Sequence, residues 1–188
     1  ALGLRELNLT ANTTVDLLAS ASIPGLVALD LSHNELFGDG PERRPESLFH
    51  SPTLASVQWL DLFCSGMTPS AVHILAHSTV VRGPRYLNLG WSGYDSPHHP
   101  PFSTAGAVAL AGGPSVRGVE FLNLSGQRIG DHGVAALVRS PLLAAIRELN
   151  LESNDIGDAG AVELAECPRL AALRKLDLSD NPIGAAGA

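Results

Sequence analysis

One short pattern recurs along this 188-residue chain, and no other feature limits its possible folds so tightly. "LRELNLTAN" begins at Leu4, "LVALDLSHN" at Leu26, "VQWLDLFCS" at Val57 and "PRYLNLGWS" at Pro84. "VEFLNLSGQ" follows at Val119, "IRELNLESN" at Ile146 and "LRKLDLSDN" at Leu173. All seven share an apolar residue, two variable ones, Leu, Asn or Asp, Leu, two variable ones and a polar residue. The starts lie 22, 31, 27, 35, 27 and 27 residues apart, so 27 is the basic unit, with one deletion and two insertions. A unit this short buries its apolar face only by stacking on its neighbours, which makes one continuous core.

Within a unit the leucines alternate with polar residues, the mark of a short strand with one face inward. The sixth unit continues "DIGDAGAVELAECPRLAAL". Gly157 and Gly160 suit a turn and a helix entry, and Asp158 suits the positive end of a helix dipole. Ala161, Leu164 and Ala165 recur at helical spacing, and Pro168 marks the helix end. Each unit is predicted to be one strand, one turn and one helix.

"LxxLxLxxN" followed by "IGDxGAxxLA" is similar to the leucine-rich repeats of the ribonuclease-inhibitor type, and "GAVALA" at Gly106 to Ala111 resembles the bacterial GALA variety. The resemblance covers practically the whole chain. It implies a right-handed α/β solenoid, or horseshoe, with a parallel β-sheet on the concave face and helices on the convex face. It also implies an asparagine ladder between turns. Ser65, Ser92 and Gln127 stand in place of that Asn, and Pro84 replaces the first apolar residue, so the ladder is expected to lapse through the middle three units. The chain opens on Ala1 and stops at "IGAAGA", which reads as a fragment of a longer chain, with 1–188 forming a single domain.

If the leucines point inward, the position two after each start faces the concave side. That row reads Glu6, Ala28, Trp59, Tyr86, Phe121, Glu148, Lys175. The position six after the start adds Phe63, and Trp91 lies one residue past Gly90. Five of the nine aromatic residues thus fall on three adjacent strand segments. An exposed aromatic patch with charged borders is the composition of a contact surface; the alternative is that the rings pack on one another and shield the strands. Between these rows runs Asn8, Asp30, Asp61, Asn88, Asn123, Asn150, Asp177. Its presence in every unit reads as a repeat signature, with each side chain bonding its neighbour across the sheet.

The two insertions, loops 37–50 and 93–104, follow strands and are expected to frame the concave surface. Pro97, Pro100 and Pro101 stiffen the longer one, and Tyr94, Asp95, His98 and His99 are its candidate rim residues. Adjacent histidines chelate one ion poorly, and His73 and His77 lack the glutamate of a zinc-protease helix, with Ile74 in its place, so no metal is assigned. Neither a nucleophile elbow nor a phosphate loop is present: Tyr94 ends "GWSG", and Pro41 interrupts "GDGPERR". Cys64 and Cys167 lie three units apart, too far to bridge. No cofactor is implied.

Acidic groups number 8 in residues 1–94 and 11 in 95–188, against 5 and 7 basic ones, so no basic face exists for nucleic acid. No apolar run approaches the length of a membrane span. With two cysteines and no secretion signal, a cytoplasmic monomer is expected. The expected function is a non-catalytic protein–protein interaction module. A protein partner would dock through Trp59, Phe63, Tyr86, Trp91 and Phe121. The alternatives are a regulator of a GTPase, through Arg43, Arg44 or Arg128, or, as the GALA resemblance implies, the substrate-recognition part of a ubiquitin-ligase adaptor.

Overall fold

The computed structural model describes residues 1–21, 23, 25–37, 45–92 and 101–187. Seven short parallel strands form one sheet in sequence order: β1 (Leu2–Gly3), β2 (Ala28–Asp30), β3 (Trp59–Asp61), β4 (Tyr86–Asn88), β5 (Phe121–Asn123), β6 (Glu148–Asn150) and β7 (Lys175–Asp177). Helices alternate with them: α1 (Ala11–Ala21), α2 (Pro45–Phe49), α3 (Pro69–Ala76), α4 (Ser103–Gly112), α5 (Gly130–Arg139) and α6 (Asp158–Ala165). This is the repeating α/β solenoid that the pattern predicts. Proline does more than end helices here: Pro52, Pro114, Pro141 and Pro168 each open a 3-10 turn leading to the next strand. Proline fits that position because its missing N–H would have no helical partner.

The strand leucines meet in register, Leu29, Leu60, Leu87, Leu122, Leu149 and Leu176 forming one row. All but Leu176 are buried against the helices, together with Leu31, Leu62, Leu89, Leu124 and Leu151 two residues on. Where β1 pairs, the first unit departs from expectation. Leu2, not Leu7, lies opposite Leu29, and Leu7 is 56% exposed. "LGLRELNL" offers two leucine pairs five residues apart, and the upstream pair wins because it leaves α1 its full length before β2. In this register Glu6 takes the left-handed backbone (φ 58°) that His33 (φ 55°) takes in the next unit.

The asparagine ladder is more continuous than the sequence suggests. Asn34 accepts from the N–H of Leu7 and Leu9 at 3.0 Å and donates to the Leu4 carbonyl. Asn154 and Asn181 repeat this on the units before them. Gln127 keeps it too, donating to the Leu89 carbonyl at 2.6 Å and accepting from the Phe102 N–H at 3.0 Å. Its extra methylene lets it reach the chain where the long insertion rejoins the fold. The Ser65 hydroxyl, by contrast, donates within its own unit, to the Leu62 carbonyl, and the Ser92 hydroxyl meets Cys64 instead. The lapse therefore covers two units.

Gly160 stands at the helix entry, as its place in the pattern suggests. It lies inside α6, where a Cβ would press on Ile156 and on the Asp131 carboxylate. Gly106 against Phe102 and Gly133 against Ile129 repeat the arrangement, so a small helix residue admits a large side chain in each unit. Asp131 accepts from the N–H of Gly157 (2.7 Å) and Gly160 (3.1 Å), capping the start of α6 from the preceding unit.

Candidate functional site

Alternation along β3 puts Trp59 and Asp61 on the open face and Leu60 beneath them. The parallel register then sets Trp59 beside Tyr86 and Tyr86 beside Phe121. The rings stack: Trp59 and Tyr86 have centroids 4.6 Å apart with planes at 17°, and Tyr86 and Phe121 lie 4.3 Å apart at 6°. All three stay half-buried, Tyr86 stacked on both faces and Trp59 and Phe121 each on one. Ala28 precedes the stack and exposed Glu148 and Lys175 follow it.

Phe63 sits beside this row, its ring edge against His33 at 5.3 Å. Gly90 leaves it room, since a Cβ there would approach the Phe63 ring at 3.0 Å. Half-buried Trp91 donates its N–H to the Ser125 carbonyl. Tyr94, Asp95, His98 and His99 lie outside the described residues, as do Arg43 and Arg44. Arg128 is exposed in the turn after β5, with φ 52°. The insertions contribute core as well as loop: Phe37 stacks on Phe49 at 5.3 Å, and Phe102 is fully buried.

The Asn and Asp row behaves differently from the predicted cross-sheet ladder. Asp30, Asp61, Asn88, Asn123, Asn150 and Asp177 each accept from the N–H two residues further on, at 2.8–3.1 Å. The strands end there, and a short side-chain acceptor satisfies the first N–H beyond each of them. Among the described residues only Asn88 reaches across, donating to Asp61 at 3.1 Å. The Tyr86 hydroxyl lies 3.4 Å from the same carboxylate.

Burial pushes the Asp61 carboxyl above the usual carboxylate range, and the neighbouring Asp30 adds to the rise. Burial also pushes the Tyr86 phenol up to about 12, with the Asp61 charge contributing. Glu120, at the sheet border, is held low by its hydrogen bond to Arg85 and by Arg147.

Because the native state holds the Asp61 proton more tightly than the unfolded chain does, ionised Asp61 costs stability at neutral pH. That cost vanishes as pH falls below the ordinary carboxylate value of 3.8. Asp61→Asn removes this charge together with the acceptor for Asn88, so its effect at pH 7 is expected to be about 0.2–1 kcal/mol more favourable than at pH 3, the range for charges opposed across strands. Urea denaturation at pH 7 and pH 3 checks this; an equal effect at both would break the link to charge.

His73 on α3 and His77 just past its end are exposed, with rings stacked 4.2 Å apart. Cys64 and Cys167 are free thiols. Among the described residues no group of three or more His, Cys, Asp or Glu is placed to hold a metal, and no helix is long and apolar enough to cross a membrane.

The family described as Leucine Rich repeat matches residues 146–165 and 172–188, the last two units. No curated protein matches the chain. Proteins built from such repeats are generally interaction modules for other proteins and typically non-catalytic. The chain folds as an α/β solenoid of the leucine-rich-repeat kind, and its last two units are similar to that family.

Proposed function

We infer that the open sheet face is a docking surface for another protein, anchored by Trp59, Phe63, Tyr86, Trp91 and Phe121. The observation that carries this is the stack of three rings on consecutive strands, half-exposed and bordered at the Phe121 end by Glu148 and Lys175. Aromatic side chains with an open edge and locked neighbours lose little entropy on binding, which makes them anchor residues. No catalytic step is assigned. The insertion residues Tyr94, Asp95, His98 and His99 belong to this reading as its rim.

The experiment is site-directed photo-cross-linking in lysate of the source cells, with the photoreactive residue at Phe121 or, as control, at exposed Val108 on α4. A partner joined at position 121 and not at 108 supports the reading; equal capture at both overturns it. Trp59→Ala is then expected to cost about 2 kcal/mol or more of binding free energy, roughly a 30-fold loss. Circular dichroism verifies that the variant remains folded. The captured protein's identity separates a GTPase regulator from a ubiquitin-ligase adaptor, both of which need this same docking step.

A further inference from the structure

The ring stack has two unlike ends. Phe121 abuts Glu148, whereas Trp59 abuts Ala28, whose methyl cannot cover an indole. Beside that end lie Asp30 and Asp61, in register on adjacent strands. Among the described residues no ion pair reaches either carboxylate, and the Asp30 charge acts on Asp61. Asp30 uses Oδ1 to accept from Ser32, and its Oδ2 has no hydrogen bond among the described residues. Asp61 lies between Trp59 and Phe63 along its strand, with the Tyr86 hydroxyl at its side. Two carboxylates without an ion pair thus stand together beside the Trp59 end of the stack. Asp61 already accepts from the Phe63 N–H and from Asn88, and Asp30 keeps one oxygen unused among the described residues; the space above Ala28 is the notch they border.

Resting on the docking reading above, we propose that this notch takes the guanidinium of an arginine side chain of the partner protein, stacked on the outer face of Trp59 and hydrogen-bonded to Asp30 and Asp61. A guanidinium is planar, so it lies flat on an indole while its edge donors meet carboxylate oxygens. An ammonium offers the charge without the plane. A neutral side chain leaves both carboxylates without a cation in a site that binding has dried.

Blocked pentapeptides that differ only at the central residue (arginine, lysine, citrulline, glutamate) are titrated into the protein, and the Trp59 indole N–H resonance is followed by NMR. That resonance is assigned by its loss in Trp59→Phe. The expected result is a saturable shift with the arginine peptide, weaker with lysine, and about 10- to 100-fold weaker with citrulline or in the Asp61→Asn protein, the range for one charged hydrogen bond. Asp61→Asn keeps the acceptor that β4, β5 and β6 already use, so it retains the fold. Citrulline matching arginine, or no saturable shift with any peptide, overturns the proposal. The cross-linked partner provides the separate arm. If Trp59→Ala releases it while Asp30→Asn and Asp61→Asn both retain it, the docking reading stands and the arginine notch falls.

Discussion

Phe102→Ala is expected to cost about 3–5 kcal/mol, the range for truncating a fully buried aromatic side chain. Phe102 has no exposed surface, and Gly106 in α4 lacks a side chain exactly where the phenyl ring lies, so nothing stands ready to collapse into the void. The residue is also a hinge of topology. Its backbone N–H donates to the Gln127 side chain, near the end of the long insertion. Losing the ring therefore removes the core contact at the start of α4 and leaves the Gln127 bond in place. Urea denaturation, with hydrogen exchange to locate the damage, measures the effect. A loss under 1 kcal/mol would mean that the ring is not core. Phe102→Leu is expected to recover more than half of the loss, since it refills most of the space.

The second large effect belongs to Asn154, which has no exposed surface and makes a ladder of bonds to the preceding unit. Its Oδ1 accepts from Gln127 at 3.1 Å and more loosely from Ile129 at 3.4 Å, and its Nδ2 donates to the Leu124 carbonyl at 2.8 Å. Asn154→Ala leaves these buried backbone groups without partners, and each costs about 1–3 kcal/mol. A total near 3 kcal/mol is expected, because the Ile129 bond is long and the turn can relax. Asn154→Asp separates the two halves of the role: it keeps the acceptor, loses the donor and buries a charge. It is expected to be at least as damaging as alanine, and a chemical melt of both variants tests the order.

The leucine pattern fixed the strand positions of β2 to β7 because a period-two alternation tolerates no slip of one residue. It misplaced β1 because "LGLRELNL" satisfies the alternation twice, and the spacing of a helix, not the leucines, breaks the tie. Gln127 was legible as a departure, but not as a substitute, since its partner Phe102 is set by an insertion whose path is not written in the repeat. Serine at 65 and 92 is a true departure: a hydroxyl is too short to span two turns. At the candidate site, the row of rings followed directly from the repeat register. That Asp30 and Asp61 make no ion pair among the described residues did not, because the pattern places side chains on a face without saying which charges meet there.

The turn that closes each strand is completed by the unit after it. The N–H of Leu31 binds the Asp61 carbonyl, that of Leu62 binds Asn88, that of Leu89 binds Asn123, and that of Leu124 binds Asn150. The residues held left-handed in those turns, among them His33, Cys64 and Ser153, donate forward in the same way, to Phe63, Gly90 and Ser179. The molecule therefore has a direction in time as well as in space. On a ribosome, which releases the N-terminus first, no unit settles its own corner until the next has emerged. Folding trails synthesis by one repeat, and the most recently made corner is always the open one.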